Sequence, residues 1–201
     1  MTNKATNITR VPHLVTAAHR CDRYGHRGGV LWFTGLPASG KSTLAYALEQ
    51  RLFEAGYEVF AFNSARLRGG LNSDLGFSRD DRRENIRRAG ELAAVMARAG
   101  VVVITAFISP YRADREAARA ATGQGFHEIF LNPGVEICER RDGRDRYASA
   151  RRGEIEDFTG ISAPYEASEG CELEIDTGVV TAGEALDILD DYTARVMRPR
   201  P

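Results

Sequence analysis

Lysine is almost missing from this chain. Of 27 basic side chains only Lys4 and Lys41 are lysines, the rest being arginine. That skew reads as composition bias, so a lysine kept in the interior of the sequence is informative. Cysteine is sparse as well: Cys21, Cys138 and Cys171 are odd in number, widely spaced and outside any metal-ligand pattern. A disulfide framework and a zinc cluster are thereby excluded, and reduced thiols in a cytoplasmic protein are the simple reading. No apolar run approaches the length of a membrane span. The first twenty residues lack the continuous apolar stretch of a secretory leader. Neither sign of charge dominates, since 27 Lys plus Arg stand against 28 Asp plus Glu for a net of −1. No global basic field therefore points to nucleic acid. Repeats and low-complexity tracts are absent too.

What is present is an alternation. Its 201 residues suit one domain with a substantial core. Strand-like runs fall at 30–34, 57–62, 101–107, 128–131 and 173–175, and helix-like stretches near 41–55, 79–99, 111–121 and 182–197. The 101–107 run, V-V-V-I-T-A-F, is apolar throughout and β-branched, as a strand buried on both sheet faces requires. Ser78 and Asp81 form a capping-box-like pair ahead of a face bearing Ile86, Ala89, Ala93 and Met96. Thr181 and Glu184 open the last helix, with Ala185, Leu186, Leu189 and Tyr192 turned inward. Gly56 and Gly100 sit where helices should stop. Alternating strands and helices predict a parallel sheet with helices on both faces and ligands at the carboxyl ends of its strands. Residues 1–28 read as an N-terminal arm, irregular or a short helix, and 29–198 as the domain. Two segments break the rhythm: a Gly/Asn/Arg-rich stretch at 63–80, and a charged, glycine-rich stretch at 139–170 long enough to predict a mobile lid.

The strongest local signal is Gly35-Leu36-Pro37-Ala38-Ser39-Gly40-Lys41-Ser42, directly after the strand-like Val30–Thr34. This is the phosphate-loop pattern G-x-x-x-x-G-K-[ST]. Gly35 and Gly40 permit the backbone angles that turn successive N–H groups around a polyphosphate. Lys41 supplies a point charge near the β- and γ-phosphates, and the Ser42 hydroxyl suits Mg²⁺. The helix beginning there aims its positive end at the same anion, with Thr43 beside it. The residues predict binding of a nucleoside triphosphate.

Beyond the loop, four stretches in order carry a resemblance. They are F-T-G-L-P-A-S-G-K-S-T-L, G-L-N-S-D-L-G-F-S-R-D-D-R-x-E-N-I-R-R, A-F-I-S-P-Y-R-A-D-R and G-E-I-x-D-F-T-G-I-x-x-P-Y-E. Together they resemble the adenylylsulfate kinase family over about residues 14–196. The resemblance implies an α/β, three-layer P-loop kinase fold, with ATP and Mg²⁺ as cofactors. It implies transfer of the ATP γ-phosphoryl to the 3′-hydroxyl of adenylylsulfate, and a homodimer. It places Arg68, Phe77, Arg82 and Asn85 around the acceptor. Two guanidiniums suit a phosphosulfate. Phe77 and Phe158 are expected to sandwich a purine. Asn85 is expected to read polar atoms or to orient Arg82. Ile108 and Ser109 are expected on the cleft floor, and Arg141 near the ATP adenine and phosphates. Arg87 and Arg88 read as a solvated helix face.

Two departures stand out. Where the family carries Asp-Gly-Asp-Asn-x-Arg, this chain has Asn63-Ser64-Ala65-Arg66-Leu67-Arg68. Asn63 keeps the capacity to hydrogen-bond a metal-bound water but cannot act as a base, and Ala65 can do neither. Losing a positioned base typically costs roughly 10²–10⁴ in rate. Where the family lid reads Lys-Gly-Leu-Tyr-Lys-Lys-Ala-Arg, this chain has Arg144-Asp145-Arg146-Tyr147-Ala148-Ser149-Ala150-Arg151. Composition bias explains Arg144 but not Ala148 or Ser149; Arg146, Arg151 and Arg152 offer charge from other positions. Three readings stay open: a kinase of adenylylsulfate or a close nucleotide, a kinase retargeted to a less anionic hydroxyl acceptor, and a nucleotide-binding pseudokinase.

Overall fold

The structure is a computed structural model that describes residue 9 and residues 11–198. Its centre is a five-stranded sheet built from β1 (Gly29–Thr34), β2 (Val59–Asn63), β3 (Val102–Ala106), β4 (Phe126–Leu131) and β5 (Leu173–Ile175). The spatial order is β2-β3-β1-β4-β5, and every pairing is parallel. β1 and β3 are buried at every residue, which is why their sequences are continuously apolar rather than alternating.

The pleat divides the core in two. Leu31 and Phe33 of β1 join α2 (Lys41–Glu54) and α8 (Ala182–Met197) through Leu44, Leu48, Leu52, Leu189 and Tyr192. Val30 and Trp32 face the other way, onto α4 (Arg79–Arg98) and α5 (Arg112–Thr122) through Ile86, Ala89, Ala93 and Ala118. Three layers result. The α4–α5 contact is close enough that a Cβ on Gly90 would come 2.9 Å from the Ala118 Cα, so alanine there would force the helices apart.

Shorter helices decorate the carboxyl edge: α3 (Ser64–Arg68), α6 (Val135–Arg140) and α7 (Arg146–Arg151). The N-terminal arm holds one helix, α1 (Ala17–Tyr24); residues 1–8 and 10 of that arm lie outside the described residues. Among the described residues no helix is long and apolar enough to cross a membrane.

Element boundaries shift slightly from the sequence reading. β2 starts at Val59 rather than at 57, because Tyr57 N–H still donates to the Leu52 carbonyl and ends α2. β4 starts at Phe126, two residues early, because Val30 recruits it into register. The capping box at Thr181 and Glu184 is complete in both directions. At Ser78 the hydroxyl accepts from Asp81 N–H, but the Asp81 carboxylate accepts from that hydroxyl rather than from the Ser78 backbone N–H.

The 139–170 segment is tied to the rest of the fold. It contains α7, and its far end is fastened to the core. Glu166 N–H donates to the Pro110 carbonyl, the Arg115 guanidinium donates to the Glu166 carbonyl, and Tyr165 shares a 2.9 Å bond with Thr34. Arg115 itself is 2 % exposed and paired at 2.9 Å with buried Glu128.

Candidate active site

β1 delivers the chain at Thr34 into the loop Gly35–Gly40, and α2 begins at Lys41. The loop needs left-handed backbone at Ala38 (φ 62) and Gly40 (φ 96), and φ 145 at Gly35. A Cβ on Gly35 would strike the Leu131 carbonyl, so only glycine fits there. The concavity that results turns the first N–H groups of α2 toward the edge of the sheet.

Lys41 folds back over this loop. Its Nζ donates to the Leu36 carbonyl at 2.6 Å and to Ser39 Oγ at 3.2 Å. With 8 % exposure, desolvation pushes its pKa down to about 7; nearby Cys138 opposes the fall and the Arg146 charge adds to it. The ammonium is thus poised to gain from an incoming anion. The loop is clipped from outside at two points: Tyr147 Oη donates to the Pro37 carbonyl at 2.9 Å, and Thr177 Oγ1 to the Ser39 carbonyl at 3.0 Å.

Two cavities flank the loop. On the α8 side a cavity of about 820 Å³ is lined by Ala38, Gly40, Ser42, Thr43, Arg141 and Thr181, among others. Arg141 is held there by bonds to the Thr177 hydroxyl (3.3 Å) and carbonyl (2.7 Å). On the α4 side a second cavity of about 430 Å³ takes in Arg68, Phe77, Arg82, Asn85, Ile108, Ser109 and Phe158. Every acceptor residue read from the sequence therefore meets in one cavity. Asn63 does not line it.

Inside that cavity the side chains are engaged differently from the sequence expectation. Arg68 Nη1 donates to the Leu75 and Gly76 carbonyls, its guanidinium lies 4.5 Å from the Phe77 ring centroid, and its buried Nε has no partner. Arg82 donates to the Phe77 carbonyl at 2.8 Å and to Thr159 Oγ1 at 3.4 Å. Asn85 does not orient Arg82. It accepts from Asn72 and donates to Ser64, tying α4 to α3. Phe77 is 71 % exposed, while Phe158 meets Tyr147 edge-on at 4.9 Å. Arg87 and Arg88 pair with Glu84, and Arg88 with Asp74, outside the cavity.

Ser109 is a positioning residue rather than a free hydroxyl. It is buried, accepts from Trp32 Nε1 at 3.1 Å and donates to Thr34 Oγ1 at 2.9 Å. Its φ of 40 holds the turn at the cavity floor, where Thr34 also donates to the Ile108 carbonyl. Asn63 is committed too: its Oδ1 accepts from Arg66 N–H and caps α3. Residues that sequence reasoning missed are Thr34, Tyr165, Thr177, Asp142 and Tyr147. Thr34 in the F-T-G-L stretch, the Pro-Tyr-Glu at 164–166 and the Tyr of the lid motif carried a signal; Asp142 and Thr177 carried none.

A phosphate-type loop at the carboxyl edge of a parallel sheet, with a cavity on either side of it, defines a class: a P-loop kinase fold. The comparisons narrow that class. The family profile described as Adenylylsulphate kinase matches residues 27–176. The adenylyl-sulfate kinase of Enterobacter sp. (strain 638) is 49% identical over 185 residues, covering 92% of each chain. That of Staphylococcus carnosus is 46% identical over 190 residues, covering 94% of this chain and 96% of the other. Among solved structures, the Mycobacterium tuberculosis APS kinase CysC in complex with AMPPNP and APS superposes with a TM-score of 0.73 at 40% identity, covering 82% of this chain and 98% of that one. This chain belongs to the adenylylsulfate kinase family.

Proposed function

We propose that this protein uses ATP to phosphorylate the 3′-hydroxyl of adenylylsulfate. One observation carries the reading: donor-type and acceptor-type cavities open on either side of a single phosphate loop. Phosphoryl transfer asks chiefly for positioning and charge neutralisation. Lys41 and the first turn of α2 face the triphosphate, while Arg68 and Arg82 face the acceptor anion. The unpartnered, buried Nε of Arg68 fits that role, because an anionic oxygen would satisfy it.

Mg²⁺ fits the site only in company with the nucleotide. Among the described residues no group of three or more His, Cys, Asp or Glu gathers to hold a metal. Ser42 would hold the ion together with phosphate oxygens and water, and the ion would supply neutralisation of phosphate charge. Family membership extends the proposal to a homodimer, which sedimentation analysis checks.

A second reading, retargeting to another hydroxyl acceptor, is favoured by one feature. Position 65 is alanine and Asn63 spends its side-chain oxygen on capping, so no carboxylate stands on the 63–65 turn. The deciding measurement is ADP formation from Mg-ATP with adenylylsulfate and with other hydroxyl metabolites. Turnover with adenylylsulfate is the expected result, and Asn63→Asp with Ala65→Asp should raise it, up to about 10²-fold if a positioned base is what limits the rate. Silence with adenylylsulfate alongside turnover of another alcohol would overturn the proposed acceptor.

A further inference from the structure

One side chain lines both cavities. Arg146 is common to the donor and acceptor compartments, and no other residue lining either one is shared. Its position is built. Asp142, whose side chain is 1 % exposed, accepts from Arg146 Nε at 2.9 Å and from Nη2 at 2.7 Å through Oδ1. The other oxygen of Asp142 accepts from Tyr147 N–H at 3.0 Å, which locks the carboxylate against the start of α7. A guanidinium carries five N–H donors. Two are spent on Asp142, and among the described residues no acceptor takes Nη1. The charge also lies near enough to Lys41 to oppose its protonation. On the lid the family pattern has leucine at this position, whereas lysines at the places of Ala148 and Ser149 are lost.

We infer that Arg146 is a catalytic arginine of this chain, reaching from the lid to the phosphoryl group as it passes from donor to acceptor cavity. The inference rests on the phosphoryl-transfer reading but not on the acceptor's identity. As the acceptor oxygen bonds to the γ-phosphorus, the bond from phosphorus to the β–γ bridging oxygen breaks and ADP leaves with its electron pair. The acceptor's hydroxyl proton passes to water. Charge spread over the three equatorial oxygens during that passage is what a guanidinium neutralises. Asp142 acts through Arg146 as a positioning residue.

The test uses Mg-ADP binding with and without aluminium fluoride, which beside ADP mimics the transferring group. It compares the wild type with Arg146→Leu, Arg146→Lys and Asp142→Asn. Wild type should bind ADP with fluoride at least about 10²-fold tighter than ADP alone, by the usual worth of one preorganised donor. Arg146→Leu should lose most of that gain while its ADP affinity stays within about threefold, as expected of an interaction made only in the transition state. Arg146→Lys should recover part, since lysine keeps charge without the fork, and Asp142→Asn should erode the gain. A wild type with no gain, an Arg146→Leu that keeps it, or equal losses with and without fluoride overturn the inference. A wild type inactive on adenylylsulfate sinks the proposed acceptor, yet the fluoride measurement still decides the arginine.

Discussion

Lys41 bonds to its own loop through Leu36 and Ser39, and burial brings its pKa to about 7. Without ligand the amine is largely neutral above neutrality; beside a triphosphate the ammonium is favoured and the pKa rises. Binding Mg-ATP at pH 8 should therefore take up close to one proton, and near pH 6, where the amine is already protonated, almost none. Calorimetry in two buffers of different ionisation enthalpy measures this number, and equal uptake at both pH values would refute it. The same residue shows how much a local pattern can convey. Lys41, Ser42 and the glycines were legible because the loop's spacing dictates its geometry. Ser109 and Asn63 were not legible in the same way. Their hydroxyl and carboxamide are claimed by Trp32, Thr34 and Arg66, two of which lie more than seventy positions from Ser109.

At the level of elements, helices α4 and α8 were readable from apolar periodicity and their caps, α2 from the phosphate loop before it and Gly56 after it, and the buried strands from continuous apolar runs. The 139–170 stretch was not, because its order comes from partners elsewhere in the chain. Tyr147 reaches Pro37, and Tyr165 and Glu166 reach Thr34, Pro110 and Arg115. Helix α7 is short, so its tie to the loop matters: an isolated helix of that length would not persist. Tyr147→Phe keeps the ring against Phe158 but leaves the Pro37 carbonyl without its donor. Stability should fall by about 1 kcal/mol, within the range for a lost buried hydrogen bond. Amide exchange across 146–151 should quicken. Unchanged exchange there would show that α7 is held by packing alone.

For the molecule as a whole, a net charge of −1 conceals a cationic excess in the cleft. Arg68, Arg82, Arg141, Arg144 and Arg146 line the two cavities against Asp142, Glu156 and Asp157, and Lys41 lies in the loop between them, while other arginines are paired on the surface, as Arg119 is with Glu172 and Arg51 with Asp187. Such a cleft concentrates anions even on a nearly neutral surface. Saturating Mg-ATP, at about 100 times its dissociation constant, should stabilise the fold by about 2.7 kcal/mol. For a chain of this size that is a rise in melting temperature of roughly 5–10 °C. Differential scanning calorimetry reads it, and absence of any rise would remove the nucleotide from the account of this protein.

The bond from Tyr147 to Pro37 has a practical corollary for anyone re-engineering the enzyme. A transplanted cover segment with different acceptor preferences would also carry, or lack, the clip that shapes the triphosphate cradle. Swaps meant to alter only what receives phosphate should then alter how tightly the nucleotide is held, unless the tyrosine travels with them.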